Sequence, residues 1–545
     1  MPPLSRSWFF WLSVVNVISC IASIIQGHNW AIWPLILFAF FTAVGVHDLL
    51  QRKSAIKRNY PILSHARFLI ESIRPELRQY LFESDTEEAP FSRQQRSIVY
   101  QRAKQELDKR PFGTQINVYA DNYEWLNHSI QPAPVATEPF QIRVGGKHCT
   151  QPYDAAVFNI SAMSFGALSA NAIRALNLGA KKGGFYHDTG EGSVSRYHLE
   201  HAGDLVWNIG SGYFGCRNGD GSFSEENFRI NATRESVKMI EVKLSQGAKP
   251  GQGGILPGAK VSAEIAEARG VPIGLDCLSP SKHSAFSTPL ELLQFVQKLR
   301  ELSGGKPVGF KLCIGHVWEW FAIAKAMQES QILPDFIVID GGEGGTGAAP
   351  LEFSDHVGMP LREALMLVHQ TLVGLNLRTE IKLGAAGKII SGFDIARTLA
   401  IGADWCNAAR GFMFAVGCIQ SQTCHTDRCP TGVATQDSNR QKGLDPIDKS
   451  ERVYHFQKNT VKALADLLAA SGLQHPEQLG PEHIIRRVSA TSVLSLSKLY
   501  PQIMPGSLLS GEFDHPSLRE YWHDASPDSF TAPASLLNAR SSKLL

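Results

Sequence analysis

The stretch FIVIDGGEGGTGAAP, residues 336–350, joins a short apolar run to a glycine-rich turn. Its first half is β-branched and aromatic, which is typical of a strand buried on both faces in a parallel sheet. Its second half carries glycines that let the backbone turn sharply or approach a ligand closely. The same order of apolar run, turn and helix-like segment recurs along the chain, which predicts an α/β fold.

Eight such runs can be counted, and most are followed by a helical pattern such as residues 168–182 or 392–403. Eight strand-plus-helix units over about 250 residues predict a (β/α)8 TIM barrel. A doubly wound open sheet is the alternative, because a strand count does not show closure. The predicted strands are residues 156–163, 184–189, 239–244, 272–278, 308–314, 336–342, 381–387 and 403–409.

The loops after the seventh and eighth runs read GAAGKIISG and NAARGFM. Many barrels bind a phosphate group at this place, using backbone N–H groups and a positive charge. Lys388 and Arg410, with neighbouring Gly387, Gly392 and Gly411, are therefore candidate phosphate-binding residues. The alternative is that the glycines only make tight turns and that Arg410 is a surface residue.

Three polar residues lie at the end of the run 239–244 and in the loop after it, in the segment KLSQGAKPGQGG. Lys243, Gln246 and Lys249 would place two ammonium groups and an amide together, a set that suits a dicarboxylate or the electron-rich edge of a flavin. Lys311 lies inside the apolar run 308–314, and a lysine buried in a strand is costly unless it is paired or serves a ligand. We expect all four residues at the ligand-binding face of the barrel.

The three cysteines of CIQSQTCHTDRCPTG, residues 418–432, stand apart from six scattered cysteines that read as buried apolar residues. Cys418, Cys424 and Cys429 lie on one loop with a proline after the last, which favours an iron–sulfur cluster. A Cys3His zinc site with His425 is the alternative, although zinc cysteines are usually two to four residues apart.

Residues 8–26 and 30–46 carry no charged side chain, and each is about long enough to cross a membrane. They predict a two-helix transmembrane hairpin. Arg6 before it and four basic residues in 49–58 place both ends in the cytoplasm by the positive-inside rule, so we expect an inner (plasma) membrane protein with a cytoplasmic catalytic domain. A signal peptide or a buried soluble hairpin are the alternatives.

The remaining organisation follows from these elements. We expect the hairpin at 1–50, a helical connector and preface at 51–150, the barrel with its cysteine loop at 151–440, and a helical extension at 441–545. The net charge of +2 and the absence of a Lys/Arg-rich run argue against a nucleic-acid partner. Nine cysteines in 545 residues are too few for a disulfide scaffold.

Several motifs together resemble the FMN-binding synthase domain of the glutamate synthase family. They are SAMSFGALS, TGEG, KLSQGAKPGQGGILPGAKV, IDGGEGGTGAAP, HQTLV and CHTDRCPTGVATQ, and they span roughly residues 150–440. The resemblance implies FMN over the mouth of the barrel and a [3Fe–4S] cluster beside it. It also implies reductive amination of 2-oxoglutarate with ammonia, through 2-iminoglutarate, to L-glutamate.

The resemblance also assigns residues. It implies that Cys418, Cys424 and Cys429 ligate the cluster and that Lys243, Gln246, Lys249 and Glu191 form the catalytic and substrate-holding set. Cofactor contacts are implied for Ser164, Lys311, Asp340, Gly341, Gly342, Gly384, Gly387, Lys388, Ala409, Arg410 and Gly411.

Some features depart from the family. Met1-Pro2-Pro3 leads into an apolar segment where a full glutamate synthase has a glutaminase domain with a cysteine nucleophile, so we expect ammonia to be free or delivered by a separate protein. No GxGxxG unit lies between a strand and a helix, so reduced ferredoxin or a reductase subunit is the expected electron donor. Trp207-Asn208 and the loop CIGHVWEW are unusual for the family.

Two alternatives to glutamate synthesis remain. The first is an FMN oxidoreductase acting on another 2-oxo or imino acid or on an N-substituted glutamate. The second is a membrane-tethered electron-transfer subunit.

Overall fold

The computed structural model describes residues 7–86, 89–513 and 515–533. The chain divides into two compact units after Ser84.

The second unit is built on a closed barrel of eight parallel strands, β1 to β8. The barrel confirms the predicted fold and excludes the open sheet. β8 pairs with β1 through Cys406 and Phe158, and β4 pairs with β5 through Lys243 and Lys311, so every strand has two neighbours. The strands are β1 Phe158–Ile160, β2 His187–Asp188, β3 Leu205–Ile209, β4 Val237–Lys243, β5 Val308–Leu312, β6 Phe336–Asp340, β7 Lys382–Ala386 and β8 Trp405–Ala408.

The strand prediction was wrong at two places, residues 272–278 and residues 205–209. Residues 272–278 form no barrel strand: only Cys277–Leu278 is extended, and it pairs antiparallel with Ile255–Leu256 in the long segment between β4 and β5. The reason is that this apolar run is not buried, since Ile273 and Leu275 are 64% and 61% exposed. The missing strand is β3, so Lys243 ends the fourth strand of the barrel and not the third.

Helices surround the barrel because their apolar faces pack on the outside of its strands. The helix Ala170–Gly183 shows how the sequence sets the limits of such a helix. The hydroxyl of Ser169 accepts the N–H of Ala172 at the start, and Gly184 ends the helix in a left-handed conformation with φ 65°. Other helices of this unit are Arg93–Ala103, Arg196–Leu199, Glu225–Ala232, Ala263–Arg269, Pro289–Leu302, Val317–Ser330, Leu351–His356, Leu361–Gly374, Gly392–Ala400, Arg410–Ala415 and Ser438–Gln441.

The segment after residue 440 is only partly helical. Its longest element is the helix Pro446–Ala470, which packs against the helix Ala170–Gly183. It also contributes two strands, Ile484–Ser489 and Ser492–Ser495, to an antiparallel sheet with Glu124–Leu126. Short helices at Leu496–Leu499, Ser507–Ser510 and Pro516–Arg519 follow, and a separate hairpin pairs Gln141–Val144 with Tyr153–Ala156.

The first unit contains the two predicted apolar helices, Trp8–Ile25 and Ile32–Leu50. The helix Trp8–Ile25 and the segment Asn29–Leu50 are long and apolar enough to cross a membrane by length and composition. The hydroxyl groups of Ser13 and Thr42 meet at 3.0 Å between the two helices. Shorter helices follow at Ala55–Asn59 and Leu63–Leu77, and a π-helical turn continues to Phe82. Arg6 lies outside the described residues, and membrane insertion stays a prediction.

Candidate active site

A cavity of about 1220 Å³ opens at the ends of the barrel strands and is lined by the loops that follow them. This is the end of a TIM barrel where active sites form. Most of the residues predicted for the site line the cavity: Ser164, Glu191, Lys243, Gln246, Lys249, Lys311, Asp340, Gly387, Lys388, Ala409, Arg410, Gly411, Cys418, Cys424 and Cys429.

Four predicted cofactor residues do not line this cavity: Gly341, Gly342, Gly384 and Gly392. Each lies where a side chain would collide with neighbouring protein. A Cβ on Gly384 would be 2.7 Å from the ring of Trp405, and one on Gly341 would be 2.6 Å from the Cβ of Leu361. These glycines permit close packing of the backbone.

Lys243 is the centre of a hydrogen-bonded triad on one side of the cavity. Its Nζ donates to Oε2 of Glu191 at 2.9 Å and to Oε1 of Gln246 at 2.8 Å. Lys243 ends β4, Gln246 lies in the loop that follows β4, and Glu191 lies in the loop after β2. The three side chains meet because these strand ends lie at the same end of the barrel. Lys243 and Glu191 are mostly buried, with side chains 14% and 19% exposed.

The Glu191 carboxylate occupies a slot that two glycines leave open. A Cβ on Gly210 would be 2.9 Å from Oε2 of Glu191, and one on Gly254 would be 2.6 Å from Oε1. Burial alone would raise the pKa of Glu191, but the positive charges of Lys243, Arg269 and Lys249 outweigh it and lower that pKa to about 2. Glu191 is therefore ionised at neutral pH.

Lys249 adds a second cation to the same wall. Its Nζ donates to the carbonyl of Gly253 at 3.4 Å. The pKa of Lys249 is lowered, mainly because the group is partly buried and also because Lys243 carries a like charge. The charge of Glu191 acts in the opposite direction but does not cancel these two effects. Two ammonium groups and one carboxylate thus face the cavity, an arrangement that can bind a ligand carrying both anionic groups and a positively charged nitrogen.

The floor of the cavity is a buried ionic network inside the barrel. Lys311 Nζ lies 3.1 Å from Oε1 of Glu241, with both side chains less than 5% exposed. Asn208 donates to the same Glu241 oxygen, and Oδ2 of Asp340 accepts the N–H of Gly247 at 2.9 Å. This network holds Lys311 at the bottom of the cavity.

The charges of this network control one another. Burial would lower the pKa of Lys311, but Glu241, Asp188 and Asp340 raise it above its ordinary value. Burial raises the pKa of Asp188 well above its ordinary range, and the nearby Glu241 raises it further. Lys311 therefore stays charged. Burial and the charge of Glu241 also raise the pKa of Asp340, against the effect of Lys311.

Sequence reasoning missed part of this floor. Asn208 and Asn407 line the cavity, and Oδ1 of Asn407 accepts the hydroxyl proton of Tyr186 at 2.7 Å. Glu241 and Asp188 lie directly behind the lining. The signal for Glu241 was present, because an acid inside the apolar run 239–244 needs a buried partner for the same reason as Lys311 does.

The far side of the cavity carries two cations for which the described residues provide no ion pair. Arg410 is half-buried and lies so close to Gly345 that a Cβ there would be 2.5 Å from its guanidinium. Lys388 is exposed and has a left-handed backbone with φ 51°. With Gly387 and Gly411 beside them, they form a cradle whose charge and backbone geometry suit a phosphate group.

The three cysteines of the predicted cluster line the same cavity, next to Arg410. Burial raises the pKa of the Cys418 thiol to about 11, whereas backbone N–H groups of residues 431–434 overcome burial at Cys429 and lower its pKa. Among the described residues, no three His, Cys, Asp or Glu side chains are grouped closely enough to hold a metal ion as they stand. Three cysteine thiols are the kind of ligand that an iron–sulfur cluster needs. To bind a cluster, the three thiols would have to move closer together.

Comparison with known proteins gives the family. A model of the conserved region in glutamate synthase matches residues 136–474, which is more than half of the chain. The chain is 38% identical over 511 residues to the glutamate synthase large subunit-like protein YerD of Bacillus subtilis (strain 168), covering 86% of this chain and 96% of that protein.

Two relatives named as glutamate synthases match over a shorter length. The archaeal glutamate synthase (NADPH) of Methanocaldococcus jannaschii is 36% identical over 321 residues, covering 59% of this chain and 60% of that protein. The large chain of glutamate synthase (NADPH) of Bacillus subtilis is 31% identical over 327 residues, covering 58% of this chain and 20% of that protein. The barrel, the residues at its mouth and these matches agree: the chain belongs to the glutamate synthase family and is an oxidoreductase of the class that acts on CH–NH2 donors.

Proposed function

We propose that this protein forms L-glutamate by reductive amination of 2-oxoglutarate with ammonia, using FMN in the cavity of about 1220 Å³. One observation carries the proposal: Lys243 bridges Glu191 and Gln246 beside a second cation, Lys249. A protein that only transferred electrons would have no use for such a substrate clamp. Family membership supports the same reaction class.

The two ammonium groups suit the two carboxylates of 2-oxoglutarate. Lys249 would bind one carboxylate, and Lys243 would bind the other or the 2-oxo oxygen while Gln246 donates through its amide. Glu191 is ionised, because its pKa is lowered to about 2 by Lys243, Arg269 and Lys249 against the effect of burial. Its carboxylate can therefore stabilise a positively charged imine nitrogen, and Lys243 Nζ can hold the proton that this nitrogen receives.

FMN fits the remaining part of the cavity. Arg410 and Lys388 would bind its phosphate, and Lys311, Asn208 and Asn407 on the floor of the cavity would hold its ring. Ser164, Ala409 and the glycines at 387 and 411 supply backbone that can approach the cofactor closely. Bound FMN supplies the hydride transfer, and the residues of this chain bind, orient and neutralise charge.

Cys418, Cys424 and Cys429 are proposed as the ligands of a [3Fe–4S] cluster. They line the same cavity as the residues that would hold FMN, and a cluster bound there would supply one-electron chemistry. Reduced ferredoxin or a reductase subunit would be the donor. Ammonia would be free or delivered by a separate protein.

We further propose that the helix Trp8–Ile25 and the segment Asn29–Leu50 anchor the protein in the inner membrane, with the barrel in the cytoplasm. Four basic residues, Arg52, Lys53, Lys57 and Arg58, follow the second helix and support this orientation. The test is fractionation after an alkaline wash, where the full chain should stay in the membrane pellet and a variant lacking residues 1–50 should not. Recovery of the full chain in the soluble fraction would contradict the anchor.

Substrate preference tests the proposed reaction. The flavin is reduced without oxygen, ammonia is added, and reoxidation is followed with 2-oxoglutarate, 2-oxoadipate or pyruvate. We expect 2-oxoglutarate to be preferred over pyruvate by about 100-fold, because pyruvate lacks the carboxylate that Lys249 would bind. Equal rates with pyruvate would argue for a different 2-oxo acid site.

A further inference from the structure

A second cavity of about 400 Å³ lies beside the barrel and behind the loop that carries Glu191. We refer to it as the side cavity. Its walls come from residues 193–199, from the segment after β3, and from the helices Glu225–Ala232 and Ala263–Arg269. Four arginines line it, Arg196, Arg217, Arg234 and Arg269, against two glutamates, Glu264 and Glu267. The side cavity therefore carries an excess of positive charge.

Arg269 is the most unusual of these arginines. It is only 4% exposed, and among the described residues it forms no ion pair with a carboxylate. Its Nη2 donates to the carbonyl of Phe165 at 3.0 Å, its Nη1 donates to Sγ of Cys277 at 3.7 Å, and the guanidinium lies 5.1 Å from the ring centre of Phe214. Its Nε has no hydrogen-bond acceptor in the described part of the chain. The nearby Glu191 carboxylate interacts with the charge of Arg269 but is directly paired with Lys243. A buried guanidinium without a direct ion pair is costly, and an anion in the cavity would lower that cost.

Arg217 offers a second free donor at the same place. Its Nε is buried and has no acceptor among the described residues. The other two arginines are already engaged: Arg196 pairs with Glu264, and Arg234 donates to Oδ1 of Asn231 at 2.9 Å. Arg269 and Arg217 thus line one small cavity, and each has a buried Nε–H group for which the described residues provide no acceptor. Two guanidinium groups of this kind bind oxyanions in a forked geometry.

The size of the side cavity limits the ligand. A volume of about 400 Å³ lies at the lower end of the range for small-molecule sites. The charge calls for a ligand with at least two anionic oxygens.

We propose that the side cavity binds a small oxyanion, a phosphate or a dicarboxylate, between Arg217 and Arg269. This site is separate from the main cavity, because neither arginine lines the latter. The two sites share a wall: a Cβ on Gly192, the residue after Glu191, would be 3.1 Å from Nη2 of Arg269. A ligand of the side cavity would therefore lie behind the loop that positions Glu191.

Isothermal titration calorimetry of the full-length protein with excess FMN tests this proposal. Inorganic phosphate is the first probe and succinate is the second. Because either probe can also enter the main cavity, only binding that is lost when Arg217 is replaced is assigned to the side cavity. We expect one saturable site in the wild type and at least ten-fold weaker binding in Arg217→Gln. The tighter of the two probes then identifies the ligand class.

Two further variants keep the test decisive. Arg229→Gln removes an equal charge from an exposed residue that does not line the side cavity, and it should bind like the wild type. Arg217→Lys keeps the charge but loses the fork, so it should bind several-fold more weakly even if Arg217→Gln does not fold. Absence of Arg217-dependent binding for both probes, or an equal loss in Arg229→Gln, would overturn the proposal.

Discussion

Lys243 Nζ lies 2.9 Å from Oε2 of Glu191, and this ion pair joins the end of the fourth barrel strand to the loop after the second. The pair is mostly buried, and Gly210 and Gly254 leave room for the carboxylate alone. Its geometry places an ammonium group and a carboxylate side by side where the proposed substrate would react.

Replacing Lys243 by Met should abolish most of the activity while leaving the cofactor bound. The ammonium that holds Glu191 and Gln246 is lost, so we expect kcat/KM for 2-oxoglutarate to fall by about 100-fold or more. Lys238→Met is the matched control, because Lys238 is on the same strand but pairs with Asp204 away from the cavity. An unchanged rate in Lys243→Met with normal FMN content would remove Lys243 from the mechanism.

The low pKa of Glu191 makes its contribution to stability depend on pH. The pKa in the folded protein is about 2, below the ordinary value of 4.5, so the ionised form stabilises the fold. This stabilisation is complete above pH 4.5 and is lost as the pH falls toward 2. We expect the stability difference between the wild type and Glu191→Gln, measured by urea unfolding, to be constant above about pH 5 and to shrink below it. A difference that grows on acidification would contradict the ion pair.

Arg410 should matter for FMN through its phosphate group only. We expect Arg410→Gln to weaken FMN binding by about ten-fold or more and to leave the binding of riboflavin, which has no phosphate, nearly unchanged. Fluorescence titration of the apoprotein with both flavins measures this. Arg428→Gln is the control, because Arg428 is exposed and does not line the cavity. Equal weakening of both flavins by Arg410→Gln would indicate a general structural role instead.

The cysteine loop can be tested by iron content and visible or electron paramagnetic resonance spectra. Cys424→Ser should lose the cluster signal, because two thiolates cannot hold a [3Fe–4S] cluster that needs three. Cys149→Ser should keep it, since Cys149 lies away from the cavity and its Sγ donates to the carbonyl of Gly305. Full iron and activity in Cys424→Ser would refute the assignment.

Lys311 is expected to be important for stability as well as for the site. Lys311→Met leaves Glu241 buried without its partner, which costs about 3–5 kcal/mol of unfolding free energy. The double variant Lys311→Met/Glu241→Gln should recover part of this loss. Lys298→Met, which removes a half-exposed lysine paired with Glu225, should cost less than about 1 kcal/mol. If Lys311→Met lowered the free energy of unfolding by no more than Lys298→Met does, the buried network would not be needed for stability.

The sequence predicted the barrel because seven of its strands are apolar runs followed by turns. The strand prediction failed where an apolar run is exposed and where a buried strand contains a polar residue. Residues 272–278 are largely apolar but exposed except for Cys277, and Gly274 adopts φ 74°, which breaks a strand. Leu205–Ile209 was overlooked although all five residues are buried, because Asn208 interrupts the run at the point where it faces the cavity.

The site was predicted mainly from residues whose chemistry is unusual for their surroundings. Lys311 in an apolar strand is such a residue, and the structure gives it a buried partner, Glu241. Gly384 was assigned to the cofactor, but it lies against the ring of Trp405. A glycine required for packing and a glycine required for a ligand look the same in a sequence. The side cavity was not predictable, since Arg217 and Arg269 are 52 positions apart.

The most direct test of the proposed function is a single turnover with labelled ammonia. The protein is reduced anaerobically and mixed with 2-oxoglutarate and [15N]ammonium, and the products are counted by mass spectrometry. The account predicts about one molecule of [15N]glutamate per FMN reoxidised, and none when either substrate is omitted. Reoxidation of the flavin by another acceptor without any labelled glutamate would contradict it.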